Sequence, residues 1–409
     1  MSDDLRARSG ATRRPVMAAR LEGLGTTIFA EMSALASATG SINLGQGFPD
    51  TDGPSAVARA AADAILQGRG NQYPPGPGIP QLRRAVAEHQ AGWYGLEFDP
   101  DTEVLVTAGA TEAIAAALLA LVDPGDEVIA FEPYYDSYAA CIAMAGGVRV
   151  PATLRPPALG PATGEESRWH PDLDALAASI TGRTRVLLIN SPHNPTGMVL
   201  TEDEARGLAR LAVAHDLIVI TDEVYEHLVF EGAHRPIATL PGMRERTVSI
   251  SSSGKTFSFT GWKIGWVTAT PELVTAVRTA KQFLTYVSGG PFQYAIAEAL
   301  KLPRDFYDEM RDGLRTRRDL LASGLADLGF GVSATEGTYF ITTDIRPLGE
   351  HDGLAFCRAL PERCGVVAIP NAVFYDDKRA GAPFVRFTFC KKPEVLSEAL
   401  DRLSVLAKQ

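Results

Sequence analysis

Leu217-Ile218-Val219-Ile220-Thr221 runs straight into Asp222-Glu223-Val224-Tyr225, and Val248-Ser249-Ile250 runs into Ser251-Ser252-Ser253-Gly254-Lys255. The first run is apolar on both faces, as a strand buried between two helical layers must be. Working outward, residues 186–190, 128–131 and 104–106 read as further strands, 264–269 as one more, and 111–121 as an Ala/Leu-rich helix. Alternation of this kind from 101 to 270 predicts an α/β fold with a mainly parallel sheet. Residues 155–169 are rich in Pro, Gly and Glu and read as a surface excursion, and Gly289-Gly290-Pro291 as a hinge or turn. Beyond it a charged helix over 304–328 precedes strands at 338–342, 366–369 and 385–388, a smaller α/β unit.

Composition narrows the function classes. The 409 residues exceed one small core, and 45% hydrophobic with 22% charged residues is ordinary for a water-soluble chain. No apolar run approaches the roughly 20 residues needed to cross a bilayer. A net charge of −10 argues against nucleic acid as a partner. Cys141, Cys357, Cys364 and Cys390 form neither a CxxC pair nor a Cys/His metal spacing, so no metal and a reduced, cytoplasmic location are expected. Arg6, Arg8, Arg13, Arg14 and Arg20 mark residues 1–20 as a mobile basic arm.

Ligands of open α/β sheets bind beyond the carboxyl ends of the strands. There this chain places Thr107-Ala108-Gly109-Ala110-Thr111, Glu132-Pro133-Tyr134-Tyr135, Asn194-Pro195-Thr196-Gly197, Asp222 with Tyr225, and Ser252 with Lys255. These types suit a phosphorylated aromatic aldehyde. Gly109, Ala110 and Thr111 open a helix whose free N–H groups favour a phosphate, with Ser252 and Lys263 to assist. Tyr135 offers a face for a flat ring, Asp222 a partner for a pyridine nitrogen, Tyr225 and Asn194 hydrogen bonds to a ring hydroxyl, and Lys255 an amine for a Schiff base. Taken singly they have plainer readings: a solvated lysine, a Pro-Gly turn, a capping aspartate, a snorkelling Arg386 on an edge strand. Tyr134 reads as a core or interface aromatic and His193 as structural.

Together with Asn43-Leu44-Gly45-Gln46-Gly47-Phe48-Pro49-Asp50, Asn71-Gln72-Tyr73, Gly261-Trp262-Lys263, Gly337-Thr338-Tyr339-Phe340 and Val385-Arg386-Phe387, these motifs resemble the class I (fold type I) pyridoxal-phosphate aminotransferases. The likeness is greatest to the subgroup of N-succinyldiaminopimelate aminotransferases, kynurenine aminotransferases and cysteine-conjugate β-lyases, and runs from about residue 20 to the end. It implies a large domain (51–290) with a mainly parallel seven-stranded sheet between helices, and a smaller α/β domain built from both termini (21–50 and 291–409). It further implies pyridoxal 5′-phosphate on Lys255, Asp222 at the ring nitrogen, and Tyr225 and Asn194 at the ring oxygen. Tyr135 is implied as the stacking aromatic, with Gly109, Ala110, Thr111, Ser252 and Lys263 at the phosphate. Gly47, Asn194 and Arg386 would bind the substrate carboxylate, and Tyr73 would reach the phosphate of a neighbouring subunit in a homodimer with shared sites. Lys263 stands where the wider family has arginine; the kynurenine-type subgroup shares the lysine, which offers a point charge in place of a two-pronged fork. The implied reaction is amino transfer between an amino acid and a 2-oxo acid, with N-succinyl-LL-2,6-diaminopimelate and 2-oxoglutarate as the expected pair. Kynurenine or glutamine transamination and β-elimination are the alternatives, and a transcriptional regulator's sensor domain the remote one.

Overall fold

The computed structural model describes residues 16–25, 27–158 and 167–408. The greater part of the expected basic arm (1–15) and the middle of the expected excursion (159–166) lie outside the described residues. In chain order the strands are β1 (Ile42–Asn43), β2 (Val104–Thr107), β3 (Glu127–Glu132), β4 (Val148–Thr153), β5 (Thr184–Asn190), β6 (Ile218–Asp222), β7 (Thr247–Ser252), β8 (Gly265–Thr268), β9 (Gly331–Val332), β10 (Phe340–Asp344), β11 (Val366–Val367), β12 (Ile369–Pro370) and β13 (Phe384–Thr388).

Seven of them form one sheet in the order β2-β8-β7-β6-β5-β3-β4. β8 runs antiparallel to both its neighbours, and the pairs from β7 through β4 are parallel. Successive side chains of the central strands feed two separate cores. Val128, Ala130, Val186, Leu188 and Ile220 pack toward one helical layer, and Ile129, Phe131, Leu187, Ile189 and Val219 toward the other. A strand with no wet face has no polar alternation, which is why these runs are continuously apolar. β4 was not expected from sequence: it is an edge strand, half exposed along its length, and Arg149 and Pro151 interrupt the apolar signal.

The second sheet, β12-β13-β10-β9, is antiparallel. β1 pairs in parallel with β11, so residues near 42 join the C-terminal third of the chain. The strand expected over 366–369 divides at Ala368 into β11 and β12, which serve different sheets. The strand expected at 338–342 starts two residues later, because Thr338 takes a left-handed φ of 68° that breaks the extension. Helix Gly290–Ala299, just past the expected hinge, packs through Ala295 and Ile296 on the core that holds Val104, Val106 and Trp266 of the large sheet. Helix Arg304–Asp327 then crosses over, and its Leu314, Leu321 and Leu325 join the core of the second sheet. Among the described residues no helix is long and apolar enough to cross a membrane.

Candidate active site

A cavity of about 420 Å³ opens where β2, β5, β6 and β7 finish, and the second sheet closes its far side. Gly47, Gly109, Ala110, Thr111, Tyr135, Asn194, Asp222, Tyr225, Ser252, Lys255, Lys263 and Arg386 all line it. Every expected site residue is therefore there except Tyr73, whose ring is 81% exposed and stands edge-on to Tyr286 at 5.7 Å.

At one end lies an anion cradle. Helix Gly109–Leu121 begins with Gly109 at φ 76°, and Lys263 itself adopts the left-handed region at φ 55°. The approach is tight: a Cβ on Gly109 would come 3.2 Å from Lys263 Nζ, and one on Gly265 would lie 2.6 Å from the Gly109 backbone carbon. Only glycine permits both the turn and the contact. The Glu112 carboxylate accepts the Ala108 N–H at 2.6 Å, while the Thr111 and Ser252 hydroxyls and the Lys263 ammonium bond to no group among the described residues. Unspent donors at a helix N-terminus are what a phosphate requires.

In the middle, Asp222 is 5% exposed and accepts from the Tyr138 hydroxyl at 2.6 Å and the Val224 N–H at 3.3 Å. Burial raises its pKa, and those bonds together with Lys255 oppose the rise. Asn190 fixes the neighbouring turn: its amide donates to Asp222 O at 2.8 Å and its Oδ1 accepts the Asn194 N–H at 2.8 Å. Lys255 lies on a four-residue helix, Ser253–Thr256, that continues from β7. Its ammonium sits 5.7 Å from the ring centres of both Tyr225 and Tyr339 and forms no ion pair among the described residues. Burial, outweighing the attraction of Asp222, brings its pKa down to about 8.

Opposite stands Arg386 on β13, 1% exposed. It donates from Nη1 to Asn194 Oδ1 at 2.7 Å and from Nη2 to Gly45 O at 2.9 Å, while Nε has no partner. Phe340, Phe29 and Phe374 surround the guanidinium at 4.0, 5.2 and 5.4 Å. Among the described residues no carboxylate pairs with it, and burial draws its pKa down to about 10. A buried cation without a counter-ion is costly, and an incoming carboxylate relieves that cost.

The wall also contains residues that sequence reading left without a role, among them Thr27, Phe29, Asp136, Tyr138 and Asn190. Tyr138 had a usable signal, lying one helical turn beyond Tyr135; Asn190, as the last residue of an apolar strand, had a weaker one. Tyr134 is buried with its hydroxyl on Asp376, and His193 is buried against the Thr196 hydroxyl at 2.7 Å.

Residues 39–403 match the family described as aminotransferase class I and II. The chain is 54% identical over 399 residues to a probable N-succinyldiaminopimelate aminotransferase of Mycobacterium tuberculosis, covering 95% of this chain and 98% of the other. It is 40% identical over 392 residues to the methionine aminotransferase of Escherichia coli, covering 95% and 97%. The solved structure of N-succinyldiaminopimelate aminotransferase from Mycobacterium tuberculosis superposes with a TM-score of 0.92 at 53% identity, over 95% of this chain and all of that one.

Proposed function

The chain belongs to the class I and II aminotransferases, and from that premise we propose that it carries the amino group of N-succinyl-LL-2,6-diaminopimelate to 2-oxoglutarate, using pyridoxal 5′-phosphate bound at Lys255. The observation that carries this reading is a buried arginine without a counter-ion among the described residues, facing the Lys255 amine across a cavity that ends in an anion cradle. The residues present fit the cofactor. Gly109, Ala110, Thr111, Ser252 and Lys263 would hold its phosphate, Tyr135 its ring face, and Asp222 its ring nitrogen, while Tyr225 and Asn194 would serve its ring oxygen. When bound, the cofactor supplies an aldehyde that captures amines and a ring that takes up the electron pair left by a broken Cα–H bond.

The protein's own part is placement and proton transfer. Arg386 receives the α-carboxylate and so fixes which bond at Cα points toward Lys255. Lys255, with its pKa lowered to about 8, has a substantial neutral fraction near physiological pH and can take the proton from Cα and return it elsewhere. Asp222, whose carboxylate accepts the Tyr138 and Val224 bonds against the upward pull of burial, would pair with the ring nitrogen and favour its protonated form. Holding the carboxylate at Arg386 also favours proton loss over loss of carbon dioxide.

The substrate reading is supported by the 54% identity to the mycobacterial relative. A cytoplasmic homodimer with shared sites is part of the same proposal, supported by Tyr73 and Phe283, which stand 81% and 82% exposed. A panel of amino donors with 2-oxoglutarate, followed by glutamate formation, tests the substrate; the N-succinyl donor should give the highest kcat/KM, and a higher value for methionine or kynurenine would replace it. Borohydride reduction of the cofactor-loaded protein should leave a pyridoxyl group on the peptide containing Lys255, and its absence would end the cofactor assignment.

A further inference from the structure

A groove of about 790 Å³ adjoins the active-site cavity, and the two share Thr27 and Asp136 in their walls. Its charged side chains fall into two sets. Arg149 is paired with Asp376 at 2.6 Å and Arg358 with Glu31 at 2.8 Å, so the charges of those four are matched within the groove. Three groups are not. The Lys378 ammonium donates to Tyr375 O at 2.6 Å and Val373 O at 3.3 Å, which leaves one of its three N–H bonds over. Tyr375 is 1% exposed and lines the groove, yet its hydroxyl hydrogen-bonds to nothing among the described residues. Its ring is held in place by Gly381, where an added Cβ would come 2.4 Å from the ring. Asp136, at the junction of the two cavities, is the one acid of the groove without an ion pair among the described residues; its carboxylate takes the Ser137 N–H and has acceptor capacity left.

Tyr375 and Lys378 thus both line the groove, each with a donor to spare. The far end of the groove therefore offers N–H and O–H donors to an anion, while the junction offers a carboxylate to an N–H. We propose that the groove binds the far end of a long N-acylated amino-acid donor, with Asp136 accepting the amide N–H and Tyr375 and Lys378 donating to a carboxylate beyond it. This deepens the substrate reading given above and rests on it: N-succinyl-LL-diaminopimelate has an amide N–H part-way along its chain and carboxylates beyond. It also explains how one cavity serves two substrates. The short 2-oxoglutarate ends within the inner cavity, whereas the long donor continues past Asp136.

Steady-state kinetics with both substrates separate the outcomes. In Tyr375→Phe and Lys378→Met, KM for N-succinyl-LL-diaminopimelate should rise about tenfold, the scale of one hydrogen bond to a charged group. kcat and KM for 2-oxoglutarate should stay within about twofold. Wild-type protein with no turnover of the N-succinyl donor would overturn the substrate reading and this subsite together. Good wild-type turnover with both variants unchanged, or with KM for the two substrates raised equally, would overturn the subsite alone. Tyr375→Phe keeps the ring on Gly381, so it tests the hydroxyl without emptying the core.

Discussion

Asp222 and Glu226 leave the end of β6 four residues apart, both 5% exposed, yet their surroundings are built in opposite ways. On the Asp222 side, Lys255, Lys263 and Arg386 face a cavity and pair with no carboxylate among the described residues. On the Glu226 side, the carboxylates are answered from within, although His89 Nδ1 and His234 Nδ1 stay without a partner among the described residues. The Ser251 and Tyr94 hydroxyls donate to Glu226, the Tyr94 bond measuring 2.7 Å. His89 Nε2 meets His227 Nε2 at 2.8 Å, and His234 reaches Glu223 at 3.0 Å. Burial pushes Glu226 up to about 7 and His89 down to about 3, so both incline to their neutral forms. His89, Glu226 and His227 bring ligand atoms within 4.8 Å of one another, the spacing of a metal site, but those atoms are largely occupied with each other and with Tyr94 and Ser251. Burying polar groups does not by itself make a site. The difference lies in whether charge is left unmatched beside open space.

The sharpest way to break this contrast is to remove the unmatched amine. Lys255→Ala should lower kcat by roughly 10⁴-fold, the scale of a lost proton-transferring group; a loss below tenfold in steady-state turnover would place the chemistry elsewhere. Arg386→Ala should cost about a hundredfold in kcat/KM, as expected when one half of a buried charge pair is removed, and an unchanged value would take the carboxylate from this position. Gly109→Ala forces a side chain into a left-handed backbone and against Lys263, so retention of pyridoxal phosphate in equilibrium dialysis should weaken about tenfold.

The closed side should respond in stability alone. His89→Gln should leave kcat/KM within about twofold. The folded pKa of His89, about 3, lies below its ordinary 6.5, so the unfolded chain binds the extra proton in between. The stability this group contributes is therefore complete above about pH 6.5 and is lost as pH falls toward 3. Urea midpoints at pH 7 and pH 5 should show a smaller drop in the variant than in wild type; an equal drop would assign acid sensitivity to other groups.

The large sheet was legible because its strands are wet on neither face, and an apolar run such as 186–190 declares itself. β4 was not, because an edge strand carrying Arg149 and Pro151 has no such run to show. The inner cavity was equally legible, since the groups that must meet a cofactor sit just past strand ends, where sequence order predicts position. Asp136 and Tyr138 went without a role although they lie within one helical turn of Tyr135, because the face a helix presents to a cavity depends on its docking angle. The groove was illegible for a stronger reason. It joins Thr27, Asp136 and Tyr375, and no local pattern brings residues so distant in the chain to one wall. Sequence marks where the reacting atoms meet more readily than where the rest of a substrate lies.

Arg386 projects from the antiparallel sheet, and Asn194, which it grips, stands beyond β5 of the parallel one. The guanidinium is thus a rivet between two layers as well as a hook for a ligand. A carboxylate arriving there competes for the bond that fastens the layers, so occupancy and interlayer posture share one free energy. Hydrogen exchange at β13 and at the 190s turn should accordingly rise or fall in step when a dicarboxylate mimic is titrated.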